Sequence, residues 1–325
     1  VIILQHYANK NSIDTINFKE VEVSNITAKM VAELRAKTGA GMMDCKKALT
    51  ETNGDSEQAV DLLRKKGLSA AAKKAGRVAA EGLVAAISEG NRCAVVEVNS
   101  ETDFVAKNEA FTDFVAGVAN IVLNEAPADL EALLALPFPG TGRTVAEEQT
   151  HQIATIGENI GVRRFTRHEV SAGVVASYVH GNGKIGVSVS LETESQDEKV
   201  ALLARQIAMH VAAASPQYLV RSEVPAAVID KEKEIMRAKA LDSGKPENIV
   251  DKIIEGQINK FFGEVCLIEQ VYVIDTDKKV GQVVEALAKE LGSDVRLTGF
   301  VRYQLGEGIE KREDDFAAEV ASMTK

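Results

Sequence analysis

The sequence predicts an α+β protein: an N-terminal three-helix domain, a core of two repeated strand-hairpin-plus-helix units carrying an inserted antiparallel helical hairpin, and a short C-terminal helix. Three observations predict it. The N-terminal part shows apolar residues at helical spacing only. A strand, turn, strand, helix pattern then occurs twice at a constant separation. Inside the second copy, two helical stretches flank one Ser-Gly-Lys-Pro turn.

Residues Val1 to Glu22 show neither periodicity nor a cap and read as an appendage. Lys19-Glu20-Val21 can be encoded by a ribosome-binding sequence, so translation is expected to begin at Val23, and an intact mass that includes residues 1–22 would contradict this. From Thr27, Met30, Val31 and Leu34 recur at helical spacing, and Thr38 to Gly41 end that helix. A second helix, Asp44 to Thr52, turns Cys45, Ala48 and Leu49 inward. Asp55 caps a third, whose stripe of Ala59, Val60, Leu62 and Leu63 runs to Gly67. An Ala/Lys-rich stretch, Ala70 to Ala80, leads out of this domain (23–77).

The repeat follows. Gly82-Leu83-Val84-Ala85 matches Gly173-Val174-Val175-Ala176, Gly90-Asn91 matches Gly181-Asn182, and Glu101-Thr102 matches Glu192-Thr193, each 91 positions on. Each half reads as strand, Gly-Asn turn, strand and helix, the helices being Asp103 to Leu123 and Asp197 to Ala213. The first unit with its connector spans 78–170 and the second 171–305. The latter carries the insertion 224–264, whose helices Ala226 to Leu241 and Glu247 to Phe262 are expected to pack Ile229, Ile235 and Met236 against Ile249, Ile253, Ile254 and Ile258. Strand, helix and strand (Val265 to Ile274, Val280 to Leu291, Val295 to Leu305) complete the unit, and residues 306–325 form a C-terminal module with a helix from Asp314 to Met323.

The formal net charge of −10 argues against nucleic acid as a partner, since phosphate binding needs a basic surface. The basic stretch containing Lys46, Lys47, Arg64 to Lys66, Lys73, Lys74 and Arg77 is a local exception, and a solvated helix face accounts for it. No run approaches the ~18 apolar residues that cross a bilayer, so no membrane partner is expected. Cys45, Cys93 and Cys266 form neither a disulfide framework nor a zinc ladder, and a reducing cytoplasm is the simplest setting. Gly181, Gly183 and Gly186 spell GxGxxG, but alternating Val187, Val189 and Leu191 follow, so they belong to a hairpin turn and not to a dinucleotide site. No Walker loop and no HExxH occur. The chain is read as a non-enzyme without cofactor or metal, a cysteine-dependent enzyme being the weaker option.

Ser100 to Asn108 (SETDFVAKN) lies where a strand meets a helix. Thr102 or Asp103 is placed to cap that helix, and Phe104 to join Phe111, Val115 and Val118 on its buried side. Against this, the second copy carries Glu194 and Ser195 where the first carries Asp103 and Phe104. Both keep an acid, but one alone sets a bulky apolar wedge beside it.

These residues, with Thr38 to Leu49 (TGAGMMDCKKAL), Ile156 to Arg164 (IGENIGVRR), Met209-His210-Val211-Ala212 and Gly306 to Lys311 (GEGIEK), resemble the elongation factor Ts family from about Val23 to Lys325. The resemblance implies that the three-helix domain is ubiquitin-associated-like and that the helical hairpin is a dimerisation insertion, with monomer or homodimer left open. It implies guanine-nucleotide exchange on elongation factor Tu in the cytoplasm during translation elongation: displacement of Mg²⁺ and GDP, then release by GTP. It assigns Thr102, Asp103, Phe104 and Val105 to dislodging Mg²⁺, and contacts with the GTPase to Met42, Met43, His210, Phe316 and Val320. From the residues themselves, Met42 and Met43 suit either a core or an adaptable binding surface, and His210 either a contact or a satisfied carbonyl. The alternative function is a structural or chaperone-like interaction module.

Overall fold

The computed structural model describes residues 26–310 apart from 245. The appendage, Phe316, Val320 and the expected last helix lie outside them. The chain divides into two compact units that meet at Lys65 and Lys66, within the third helix.

The first unit holds α1 (Ala28–Thr38), α2 (Met42–Glu51) and the start of α3 (Ser56–Lys74). Thr27 caps α1 by accepting from the Met30 amide, and Gly39 ends it in the left-handed region. Val31, Leu34, Cys45, Ala48, Leu49 and Ala59 fill its core. Two expectations shift. α2 begins two residues early, at Met42, and α3 runs past Gly67 to Lys74. One glycine costs a helix only about 1 kcal/mol, and the Ala70-Ala71-Ala72 run that follows outweighs it.

The second unit contains β1 (Glu81–Glu89), β2 (Arg92–Ser100), α4 (Glu109–Glu125), α5 (Leu130–Ala135), β3 (Pro137–Phe138), β4 (Arg143–Thr144), α6 (Val145–Ile156), β5 (Gly161–Glu169), β6 (Gly173–His180), β7 (Ile185–Glu192), α7 (Glu198–Ala214), α8 (Ala226–Asp242), α9 (Glu247–Val265), α10 (Val280–Leu291) and β8 (Arg296–Gln304). Two three-stranded antiparallel sheets, β1-β2-β5 and β6-β7-β8, pack face to face. α4 covers the outer face of one, and α7 with α10 covers the other. Central strand β2 is therefore buried on both faces: Ala94, Val96 and Val98 meet α4, while Cys93 and Val95 meet the second sheet.

The two halves are joined reciprocally. The Val84 amide donates to the Gly183 carbonyl (2.8 Å) and the Val175 amide to the Gly90 carbonyl (3.1 Å). A Cβ on Gly183 would lie 2.4 Å from Leu83, and one on Gly186 would lie 2.4 Å from Val84. The last two glycines of GxGxxG thus admit close approach of the two halves, while Gly181 serves only the turn.

The repeat is real, but its third landmark is out of register. β1 and β2 are linked through Gly90-Asn91, whereas four residues, 181–184, link β6 and β7. Beyond the turn the separation therefore becomes 93, as the matching bulges at Glu97/Val98 and Ser190/Leu191 show. Glu101-Thr102 corresponds to Glu194-Ser195, and Asp103-Phe104 to Gln196-Asp197.

Other corrections are local. β5 occupies a segment for which no strand was foreseen. The strand expected over Val265 to Ile274 is the end of α9, a 3₁₀ turn and a loop, with isolated bridges from Cys266 to Tyr218 and from Val271 to Lys279. In the hairpin, Ile229, Met236, Ile253, Ile254 and Ile258 are packed, but Ile235 and Ile249 face outward.

Candidate functional site

The segment after β2 does not enter the helix directly. Residues Thr102 to Phe104 form an open turn, Val105–Lys107 a single 3₁₀ turn, and α4 starts only at Glu109. Its cap is Asn108, whose side chain accepts from the Ala110 amide at 2.9 Å, so neither Thr102 nor Asp103 caps it. Asn108, which was not foreseen as a cap, prevails because burial of Phe111 and Phe114 fixes the register of α4 and so the place where it starts.

Phe104 consequently leaves the buried side. It is 75% exposed, with the Lys107 ammonium 6.0 Å from its ring centroid, and it does not join Phe111, Val115 and Val118. Exposing such a ring forgoes about 2–3 kcal/mol of burial. Asp103 beside it is also exposed. Val105 is 5% exposed, packed in the core beneath α4. Its part is therefore to pin the turn from below.

Thr102 pins the other end. Its amide and hydroxyl both donate to the Glu158 carboxylate, at 2.9 and 2.6 Å, and its carbonyl accepts from the Ser100 hydroxyl at 3.0 Å. Glu158 belongs to the loop after α6, which Gly157 ends with φ 91° and which buried Ile160 anchors. Nothing in the polar stretch Gly157-Glu158-Asn159 singled out Glu158.

Met42 and Met43 stand on the first turn of α2, 58% and 63% exposed and outside the three-helix core, which decides between core and surface for this pair. His210 is completely buried. Its Nε2 donates to the Gln270 side-chain oxygen at 2.9 Å, and its Nδ1 accepts from the Val273 amide at 3.2 Å, so it satisfies a loop and not a helix-end carbonyl. What it presents outward is that loop, where Val271, Val273 and Ile274 are about half exposed. This apolar rim went unseen because Val265 to Ile274 read as a strand.

Burial holds His210 below its ordinary value, and likewise His168 and His151. Unfolding lets these histidines take up protons more readily, so their stabilisation is complete above about pH 6.5 and is lost as pH falls through the lower folded values. The melting temperature is expected to drop between pH 7 and pH 5, and less steeply in His210→Gln. Equal slopes for the two proteins would show that His210 does not titrate on unfolding.

Cys93 pairs across the strands with His168, the one arrangement that invites a nucleophile reading. Burial pushes the thiol up to about 12 and keeps the imidazole neutral, and His168 Nδ1 lies 3.1 Å from the Ser188 hydroxyl. The thiolate is thereby suppressed, and the pair lies between the sheets, away from any substrate. Burial also raises Cys266. Among the described residues, no group of three or more His, Cys, Asp or Glu could hold a metal ion, and no helix is long and apolar enough to cross a membrane.

Comparison with known proteins adds an independent finding. The family model described as elongation factor TS matches residues 101–307. A protein named elongation factor Ts from Syntrophotalea carbinolica is 69% identical over 301 residues, covering 92% of this chain and 99% of its own. Proteins of the same name from Magnetococcus marinus (54% over 300 residues) and Trichlorobacter lovleyi (56% over 304) cover 92% and 91% of this chain and 99% and 98% of themselves.

Proposed function

The chain belongs to the elongation factor Ts family, and we infer from this that its work is nucleotide exchange on elongation factor Tu: it binds the GDP-bound GTPase, expels Mg²⁺ and GDP, and departs when GTP binds. It is an exchange factor, not an enzyme, and it acts in translation elongation. The observation that carries the mechanism is Phe104, held three-quarters exposed between two fixed posts, Thr102 and Val105.

A GTPase holds its nucleotide largely through the phosphates and their Mg²⁺, so moving the metal removes a large stabilising charge. Phe104 supplies a rigid apolar wedge and Asp103 a negative charge beside it. Val105 keeps both at a fixed height. The coupling is reciprocal: a factor that weakens nucleotide binding is itself weakened by nucleotide, which is how GTP releases it. Each tenfold gain in GDP release requires about 1.4 kcal/mol of differential stabilisation of the exchange transition state.

The remaining contacts are proposed to add affinity. Met42 and Met43 are adaptable thioethers suited to a partner surface, His210 acts through the Val271–Ile274 loop that it holds, and the last helix contributes Phe316 and Val320. The helical hairpin exposes Ile235, Leu241 and Ile249 and is the surface on which a second copy would dock. Met42→Ala with Met43→Ala is expected to raise the concentration needed for half-maximal exchange while leaving the maximal rate within about twofold, the signature of uniform binding. Acceleration of GDP-analogue release from elongation factor Tu tests the function itself. A chain that binds without changing the nucleotide off-rate is the scaffold of the alternative reading.

A further inference from the structure

The exposed wedge depends on a loop that is distant in sequence. We propose that Glu158 is a positioning residue for exchange, holding the Thr102–Phe104 turn open, and that Asn159 ties the same turn to the segment arriving from α3. This rests on the reading of the turn given above and assigns its support.

Thr102 has three backbone and side-chain polar groups that face the turn, and all three are committed, two of them to one carboxylate. The 2.6 Å hydroxyl contact and the 2.9 Å amide contact make Glu158 a bidentate clamp, of the charge-assisted kind that is shorter and roughly twice as strong as a neutral hydrogen bond. The next residue repeats the grip one step back. The Asn159 amide donates to the Glu101 carboxylate at 2.6 Å, and its side-chain nitrogen donates to the Arg77 carbonyl at 2.8 Å. Arg77 closes the ring through its guanidinium, 3.4 Å from Glu101. Two consecutive residues of the α6–β5 loop thus hold two consecutive residues of the turn, and one of them also holds the chain three residues before Ala80.

The clamp matters because of what the turn must resist. Phe104 lies seven residues before Phe111, on a chain whose helix could in principle extend backwards and fold the ring onto the apolar face of α4. Burial of the ring would favour that change, and two hydrogen bonds to a charged acceptor oppose it on a comparable scale. With Thr102 clamped by Glu158 and Val105 buried, the backbone between them has no freedom to make that change. Preorganisation of this kind costs nothing at the moment of exchange and so appears in the rate and not in the affinity.

The test uses the full chain, elongation factor Tu and a fluorescent GDP analogue. Glu158→Ala is expected to slow maximal release by at least about tenfold, with affinity for nucleotide-free elongation factor Tu changed by less than about threefold. Glu158→Gln, which keeps an acceptor but not the charge, recovers part of the rate. In a Thr102→Val background, Glu158→Ala has a smaller effect, because one of the two clamped donors is already gone. The Thr102→Val and Glu158→Gln chains also carry the test if Glu158→Ala does not fold. Native release rates in Glu158→Ala, with Phe104→Ala slow, would overturn the role of Glu158 alone. So would rate, affinity and melting temperature falling together, which is the mark of a merely structural residue. Native rates in Phe104→Ala would overturn the wedge itself and the clamp with it.

Discussion

Replacing Phe104 by alanine is expected to slow GDP release from elongation factor Tu by about 10- to 100-fold, equivalent to about 1.4–2.7 kcal/mol at the exchange transition state. The same change should leave the fold intact. An exposed side chain away from special backbone geometry contributes within about 0.5 kcal/mol to stability, and Phe104 is 75% exposed with ordinary helical dihedrals. The two readouts together separate a wedge from a packing residue, since removing a buried Phe costs about 3–5 kcal/mol. Phe104→Leu should keep much of the rate, because what the turn supplies is apolar bulk. Melting curves and stopped-flow traces on the same protein preparations check both halves.

The second large effect is expected at Glu97, a residue with no part in the turn. Its carboxylate is fully buried between the sheets, at the bulge of β2. Arg163 donates to it at 2.9 Å, Arg164 at 2.6 Å, the Gly306 amide at 2.8 Å and the Asn99 side chain at 3.2 Å. Burial pushes the carboxyl up, but the donors from Gly306, Arg163 and Arg164 outweigh it and hold the group below the usual carboxylate range. A lowered folded value means stability that is present above the unfolded value and is lost as pH falls through the folded one.

Glu97→Ala leaves the Gly306 amide unpaired and takes one partner from each of two guanidinium groups, and a loss of about 3 kcal/mol is expected, near the lower end for breaking a buried pair because Arg163 keeps the Glu307 carbonyl, Arg164 keeps the Glu307 carboxylate, and both reach water. Denaturant unfolding measures it. A loss below about 1 kcal/mol, the scale of a surface ion pair, would mean that water replaces the carboxylate without cost.

Glu97 also explains two motifs that the sequence offered as separate strings. Arg163 and Arg164 close IGENIGVRR, and Gly306 opens GEGIEK. They meet on one carboxylate, where Gly306 also packs so closely that a Cβ would lie 2.4 Å from the Ala80 carbonyl oxygen. Their purpose is to join the ends of the core.

The parts of the fold that local physics decides were legible. Thr27 and Asp55 announced their helices, Gly39 a helix end, Gly90-Asn91 a tight hairpin, and the repeat was visible as a constant spacing. What was lost depended on packing at a distance. Two extra residues in the β6–β7 turn shifted the register of everything beyond it, so Asp103-Phe104 was compared with the wrong pair. Phe104 and Val105 are both apolar neighbours at a strand end, and only tertiary structure decides which is buried and which is exposed. His210 and Val273 lie 63 positions apart, and Thr102 and Glu158 are separated by 56. No local pattern connects them.

On the proposed mechanism the Thr102–Val105 turn, and not binding alone, releases the nucleotide. The most direct measurement is the release of a fluorescent GDP analogue from elongation factor Tu with Mg²⁺ present, at saturating concentrations of the native chain and of Asp103→Ala with Phe104→Ala. Affinity for the nucleotide-free GTPase is measured on the same two proteins. The expected result is fast release by the native chain that is lost in the double variant, with affinity kept. Release equally fast in both would contradict the wedge, and no acceleration by the native chain would contradict nucleotide exchange altogether.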